Sequence, residues 1–220
     1  LMAGLMMGFL FLAISYAKDA NQRAQNVTEI VTGWQDAGLE IYLGLGKEFE
    51  DDLPTWNAEI EKESLTIRFM APEVLFKSGS AELQPRFQLI LMDFMPRYID
   101  LLHTEFSPVI KEVRIEGHTS SEWNDGADET LAFIKNMKLS QERTRSVLNF
   151  SMGIPELQVL NPWMRKTVSA NGLSSARLVM RNDVEDKKKS RRVEFTIRTK
   201  TKEALFKILD KIAPGIESKI

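Results

Sequence analysis

One short segment of the sequence places an amide, an apolar side chain and a guanidinium at helical spacing. Asn136, Leu139 and Arg143 stand at positions i, i+3 and i+7, so they share one face of a predicted helix. A guanidinium offers planar, paired N–H donors that match a carboxylate, such as the free α-carboxylate of a peptide. The same pattern also fits a different role, in which Arg143 forms an ion pair with Glu142 or Glu194 on a solvated face.

Composition argues against several other chemistries. The absence of cysteine excludes a disulfide framework, a thiolate metal site and a cysteine nucleophile. His118 and His103 have no partner motif, so packing or loop hydrogen bonding suits them better than a metal. No P-loop, dinucleotide fingerprint or nucleophile elbow is present, so we expect no enzyme and no cofactor. With 31 acidic and 29 basic residues, no overall positive field favours nucleic acid.

The first 17 residues contain no charged side chain. As a helix they cover roughly 25 Å of a hydrocarbon core about 30 Å thick, so we expect a transmembrane helix that continues upstream of Leu1. Gly4 and Gly8 give it a small-residue face on which another helix could pack. The alternative is a signal peptide that is cleaved after Ala17, where small residues alternate.

The next segment has a helical period. Apolar residues recur at alternating steps of three and four, at Val27, Ile30, Trp34, Ala37 and Ile41. Two heptads of this kind predict either a pairing of two copies or an amphipathic helix packed on its own domain. Gly44, Gly46 and Pro54 interrupt the pattern, so we predict one helix to about Tyr42 and a looser second helix through Glu61.

From Ser64 onward, strand and helix patterns alternate. Strands are predicted at 65–70, 113–117, 167–170 and 192–198, and helices at 83–102, 129–152 and 202–212. This order predicts an α/β sandwich with a mixed sheet, a form of α+β sandwich. The expected division is a transmembrane helix at 1–17, a helical linker and dimerisation region at 18–63, the sandwich domain at 64–200 and a C-terminal helix at 201–220.

Four sequence blocks carry a family resemblance. They are Leu75–Leu83 (LFKSGSAEL), Ile115–Thr119 (IEGHT), Asn136–Val147 (NMKLSQERTRSV) and Ser190–Glu194 (SRRVE). In this order, across about 65–198, they resemble the OmpA C-terminal family, which includes MotB-type flagellar stator proteins, peptidoglycan-associated lipoproteins and OmpA. The resemblance implies an OmpA-like peptidoglycan-binding domain in the periplasm.

The resemblance also assigns roles to residues. It implies that Arg143 binds a carboxylate of the diaminopimelate in the peptidoglycan stem and that Asn136 lines the pocket. Leu139, Thr119 and Ser120 complete the expected site.

One position departs from the family pattern. The family usually has Asp directly after Gly-His-Thr, where it meets the amine of the ligand, and this sequence has Ser120. Either Ser120 and Ser121 bind a neutral group, or an acid of the following loop supplies the charge. The candidate acids are Glu122, Asp125 and Asp128.

The overall organisation resembles the B subunit of an ion-driven stator. The segment Leu1–Leu5 is similar to the residues that follow the ion-binding Asp of MotB-like chains, especially in the ZorB family of Zorya anti-phage systems. This implies an inner-membrane homodimer inside a ring of MotA/ZorA-like subunits, a proton carrier upstream of Leu1, and a role in antiviral defence. The alternatives are a passive wall tether without a motor partner and an envelope or secretion-system scaffold.

Overall fold

The computed structural model describes residues 2–70, 72–77, 79–123 and 127–200. The chain forms two compact units, of which one is Glu40–Thr199 and the other includes Leu1–Leu39. The helix predicted at 202–212 lies outside the described residues. The division of the chain at 63/64 into linker and domain stays a prediction.

The first helix, α1, extends over Met2–Phe49 without a break. The interruption predicted at Gly44 and Gly46 is therefore wrong. Gly44 allows close packing, since a Cβ there would stand 3.3 Å from the ring of Phe106. Among the described residues, no helix is both long enough and apolar enough to cross a membrane.

The looser helix predicted through Glu61 is also wrong. A short helix, α2 (Leu53–Trp56), ends at Asn57, which has a left-handed backbone conformation with φ of 52°. Strand β1 (Ala58–Glu61) follows and pairs antiparallel with β2 (Thr66–Phe69). Strand pairing overrides the local helical pattern here: Glu59 lies directly opposite Arg68 in the paired strands, and both Glu59 and Glu61 form ion pairs with it.

The strands and helices predicted between residues 65 and 198 occur in the predicted order, and the structure adds several short elements that were not predicted. After β2 come α3 (Pro72–Leu75), α4 (Pro85–Phe106), β3 (Ile110–His118), α5 (Glu129–Met152), a 3₁₀ helix (Pro155–Leu160), α6 (Asn161–Thr167), β4 (Val168–Gly172), β5 (Met180–Arg181), β6 (Val184–Glu185), α7 (Lys187–Ser190) and β7 (Arg192–Thr199). The main sheet has the order β1-β2-β7-β3-β4, in which only β3 and β4 are parallel. The predicted mixed sheet is confirmed.

Aromatic side chains fill the core between α4 and the sheet. Phe94 of α4 lies with its ring centroid 5.3 Å from that of Phe69 and 5.0 Å from that of Phe195, in edge-to-face geometry. All three are fully buried. Such pairs add roughly 0.5–1.5 kcal/mol each beyond the burial of their area, so they hold the sheet in place.

Two glycines let α5 approach the ends of β3 and β4. A Cβ at Gly117 would stand 2.9 Å from the carbonyl oxygen of Ser140, and one at Gly172 would stand 2.3 Å from the backbone nitrogen of Gln141. Contacts this short are not tolerated, so only glycine fits. The close approach brings the Asn136–Arg143 face of α5 to the ends of β3 and β4.

Candidate carboxylate-binding site

The helix that carries the candidate residues begins with a side-chain cap. The carboxylate of Asp128 accepts a hydrogen bond of 2.8 Å from the backbone nitrogen of Leu131. Such a cap satisfies one of the free N–H groups of the first turn. Asn136 and Leu139 are buried two and three turns further on, and Arg143 is half-buried.

Asn136 holds the loop that follows β3. Its Nδ2 donates to the carbonyl oxygen of Ser120 at 3.1 Å and to that of Glu122 at 3.0 Å. Both amide hydrogens are therefore engaged with backbone. Thr119 and Ser120 are buried in the same loop, and the Thr119 backbone nitrogen donates to Ser174 at 2.9 Å. In this structure, Asn136 positions the loop.

Arg143 is surrounded by carbonyl oxygens and an aromatic ring. Its Nε donates to the carbonyl oxygen of Ser80 at 2.9 Å, and its Nη2 donates to that of Lys77 at 3.4 Å. The guanidinium carbon lies 4.8 Å from the ring centroid of Phe76, a cation–π distance. Burial and the nearby charge of Arg191 lower the pKa of Arg143 to about 10. The side chain therefore stays charged at neutral pH.

Neither of the ion pairs considered for Arg143 is formed. Glu142 lies 3.9 Å from the ammonium of Lys138, and Glu194 accepts hydrogen bonds from Arg68 and Arg192. Within the described ranges, no carboxylate lies within 4.0 Å of the Arg143 guanidinium. A charged, half-buried guanidinium without a counter-ion favours an anionic ligand.

The pocket beside Arg143 is cationic. Its lining comprises Leu75, Phe76, Gly117, His118, Arg143, Arg191, Arg192 and Val193. The structure thus brings Arg143 to this pocket, whereas Asn136 meets the loop of Thr119 and Ser120. Leu139 lies between these two residues in α5 and is buried. Phe76 and Arg191 are missing from the sequence-based site, since neither shares its helical face.

A carboxylate from a distant hairpin binds Ser121, the residue after Ser120. Glu185 of β6 accepts hydrogen bonds from the backbone nitrogen of Ser121 at 3.0 Å and from the Ser121 hydroxyl. Sequence reasoning missed Glu185, because it stands 64 residues from Ser121 and belongs to no motif.

The loop acids proposed to replace the missing Asp have other partners. Glu122 lies 2.6 Å from Nζ of Lys187 and 3.4 Å from Nη1 of Arg191. The hydrogen bond and charge of Lys187 lower the pKa of the Glu122 carboxyl. Asp128 caps α5, and Asp125 lies outside the described residues. Glu185 is therefore a better candidate than Glu122 or Asp128.

His118 belongs to a buried ionic network. Ligating atoms of His118, Glu116 and Glu194 lie within 4.8 Å of one another. However, Glu194 accepts hydrogen bonds from Arg192 at 2.7 Å and from Arg68 at 2.6 Å. Neither ring nitrogen of His118 makes a hydrogen bond of good geometry in the described part, although Nε2 lies 3.2 Å from Oε2 of Glu194. With two arginines engaging Glu194, the arrangement supports an ionic network better than a metal site.

Comparison with solved structures shows which fold the chain shares. No family model matches the chain. The alignment with a MotB-like protein from Desulfovibrio vulgaris covers 78% of this chain and 98% of that protein's chain. The two structures superpose with a TM-score of 0.51, and the sequences are 20% identical. The cell wall anchor of the type VI secretion system from Pseudomonas aeruginosa covers 70% of this chain and 96% of its own, at a TM-score of 0.49 and 23% identity. The fold is that of a MotB-like, OmpA-like domain.

Sequence comparison then gives the particular family. The chain is 41% identical over 210 residues to the Zorya protein ZorB of Escherichia coli strain Crooks. The aligned region covers 95% of this chain and 89% of that protein. The chain belongs to the ZorB family. This confirms the resemblance found in the sequence blocks, and it places the chain among non-enzymatic proteins.

Proposed function

We propose that this chain is a wall-anchored, MotB-like stator subunit of a Zorya-type defence complex. In this proposal Arg143 binds a free carboxylate of the peptidoglycan stem. The observation that carries the proposal is the half-buried guanidinium of Arg143, which has carbonyl and aromatic neighbours but no carboxylate partner among the described residues. Membership of the ZorB family and the MotB-like fold support the same reading.

The pocket favours a carboxylate over a neutral ligand. The carbonyl oxygens of Lys77 and Ser80 fix Nε and Nη2, which leaves the remaining N–H groups of Arg143 for a ligand. The ring of Phe76 covers one face of the guanidinium and holds it in a fixed orientation. A preoriented guanidinium binds a planar anion with less loss of side-chain freedom.

The membrane part of the proposal concerns residues 1–17. We assign this segment as a single inner-membrane anchor with the C-terminal domain in the periplasm. Apolar side chains of α1 such as Phe9 and Phe11 are exposed, at 65% and 73%, which suits contact with lipid or with partner helices. Two copies would pass through a ring of MotA/ZorA-like subunits.

Binding to isolated peptidoglycan tests this function. The full chain in mild detergent should sediment with purified sacculi that contain diaminopimelate. Free diaminopimelate should release it, whereas lysine, which lacks one carboxylate of diaminopimelate, should release much less. Failure to sediment, or equal release by both amino acids, would contradict the proposal.

A further inference from the structure

The last turns of α1 are part of the compact unit that carries the candidate site. Ile41, Leu45 and Phe49 stand at i, i+4 and i+8 and are fully buried, so one face of the helix lies in the core. All three belong to the unit Glu40–Thr199. Because α1 is one helix from Met2 to Phe49, its last turns join this unit without an intervening loop.

A single arginine of α4 binds the end of α1. Nε of Arg97 lies 2.7 Å from the carboxylate of Glu48, and Nη1 lies 2.9 Å from that of Asp52. Nη2 donates to the backbone carbonyl oxygen of Glu48, which belongs to the last turn of α1 and has no partner within the helix. The guanidinium carbon lies 4.9 Å from the ring centroid of Phe49, a cation–π distance. We call Arg97, Glu48, Phe49 and Asp52 the Arg97 clasp.

The clasp is connected to the sheet through aromatic rings. The ring centroid of Phe49 lies 5.2 Å from that of Phe94, which stands about one turn before Arg97 in α4. The ring centroid of Phe94 lies 5.0 Å from that of Phe195 in β7. Aromatic pairs at such distances attract each other beyond the burial of their area. The end of α1 is thus packed, through α4, against the strand that also supplies Val193 to the cationic pocket.

We propose that the Arg97 clasp is a mechanical joint, which keeps the last turns of α1 on the domain when the chain is under tension between membrane and wall. The inference rests on the proposed function, because tension arises only if both ends of the chain are held. Apolar contacts such as those of Ile41 and Leu45 act only at short range, so they are lost one after another as a helix is pulled away. The bonds of Arg97 lie at the far end of that path and share one planar guanidinium, so they resist together.

Hydrogen exchange of the full chain in mild detergent tests whether the clasp acts locally. Arg97→Met keeps an apolar stem beside Phe49 and removes the ion pairs. Exchange at 41–49 should rise about ten-fold or more, the usual value of one charge-assisted hydrogen bond, whereas exchange at 193–197 should not change. Arg86→Met is the matched control, since the guanidinium of Arg86 in the same helix donates to the carbonyl oxygen of Thr55, outside α1. An equal rise in both segments would overturn a local joint.

Single-molecule pulling tests the joint under tension. The chain has no cysteine, so DNA handles can be attached through Lys18→Cys and through a cysteine added after Ile220. At constant force, the first lengthening step should come from release of the last turns of α1. Its lifetime should be about ten-fold shorter in Arg97→Met than in the unaltered chain or in Arg86→Met. Equal lifetimes in all three would overturn the proposal.

A second variant covers poor folding of Arg97→Met. The double substitution Glu48→Gln with Asp52→Asn leaves Arg97 in place, removes two of its carboxylate partners and should also shorten the lifetime. An unchanged lifetime in this variant would equally overturn the joint.

Binding to sacculi separates the joint from the proposed function. Arg97→Met should sediment with sacculi as the unaltered chain does, because Arg97 does not line the pocket of Arg143. If Arg143→Ala loses binding while Arg97→Met keeps the exchange and lifetime of the unaltered chain, the joint is overturned and the proposed function stands. If the unaltered chain does not bind sacculi, the proposed function fails, and the joint fails with it because the chain carries no tension.

Discussion

The side chain of Asn136 and the backbone of Ser120 are joined by a hydrogen bond of 3.1 Å from Nδ2 to the carbonyl oxygen. This bond connects the middle of α5 to the loop that follows β3. Because a second hydrogen bond from the same amide reaches the carbonyl oxygen of Glu122 at 3.0 Å, one side chain fixes two carbonyl groups of the loop, two residues apart. The loop after β3 is therefore positioned by the helix that also carries Arg143.

Asn136→Ala should loosen this loop. The substitution leaves two carbonyl groups without their donor, and an unsatisfied buried polar group costs about 1–3 kcal/mol. We expect a loss of that size in the free energy of unfolding and faster hydrogen exchange at 119–122. Lys135→Ala, at an exposed neighbouring position, is the control. Unchanged exchange in Asn136→Ala would show that the loop is held by other contacts.

Gly172→Ala should destabilise the domain through a steric clash. Its Cβ would stand 2.3 Å from the backbone nitrogen of Gln141, so α5 would have to move away from β4. Overpacking of this kind typically costs about 1–3 kcal/mol. Gly46→Ala is the contrasting control, since its Cβ would have no neighbour within 4 Å and alanine is favoured in a helix by about 1 kcal/mol. In urea unfolding, the free energy of unfolding should fall for Gly172→Ala and rise for Gly46→Ala. A Gly172→Ala variant as stable as the unaltered chain would refute the close packing.

The buried pair of His118 and Glu194 predicts acid sensitivity. Burial lowers the pKa of His118 below 6.5. Burial alone would raise the pKa of Glu194, but the contact with His118 and the charge of Arg192 outweigh it and hold that pKa well below 4.5. Both folded-state pKa values are depressed. Their contributions to the free energy of unfolding are therefore present at neutral pH and are lost as the pH falls. The loss begins below pH 6.5 for His118 and below pH 4.5 for Glu194.

Urea unfolding at several pH values between 7 and 3 measures this loss. The slope should approach about 1.4 kcal/mol per pH unit for each proton that the unfolded chain binds in excess. Glu194→Gln should be less stable at pH 7, because Arg68 and Arg192 lose their shared carboxylate, and should lose less stability below pH 4.5. If the free energy of unfolding of the unaltered chain does not change between pH 7 and pH 3, the ionic network is contradicted.

The heptad pattern predicts a parallel dimer. The chain has no cysteine, so single cysteines at Ile30 or Trp34 should cross-link between two copies without background. Gln25→Cys, which falls on the opposite heptad face, is the control and should cross-link much less. Monomeric behaviour in mild detergent together with no cross-link at any linker position would disprove the dimer.

Local patterns predicted much of the fold. The alternation in Val113–Gly117 and the helical spacing after Glu129 identified β3 and α5, because one face of each element is buried. Strand β1 was missed because its stability comes from pairing with β2 and from the charge of Arg68, which no local period reveals. Long α1 was missed because Gly44 permits close packing and does not end the helix.

The site was predictable where its residues share one helix or belong to a sequence block of the family resemblance. Arg143 and Asn136 follow from helical spacing and the resemblance, and both lie where α5 meets the end of β3. Glu185 and Arg191 reach the site from the β5–β6 hairpin and the residues after α7, by folding over long sequence separations. The carbonyl partners of Arg143 are backbone atoms, whose positions no side-chain pattern encodes.

Sedimentation of Arg143→Ala with sacculi tests the central claim most directly. Loss of a charge-assisted contact worth about 1.5–3 kcal/mol should weaken binding roughly ten-fold to over a hundred-fold, with an unchanged circular dichroism spectrum. Arg143→Lys should restore little, because an ammonium lacks the paired donors of a guanidinium. Arg145→Ala, an exposed arginine on the same helix, should bind normally. If Arg143→Ala sediments as well as Arg145→Ala, the pocket does not anchor the chain to the wall.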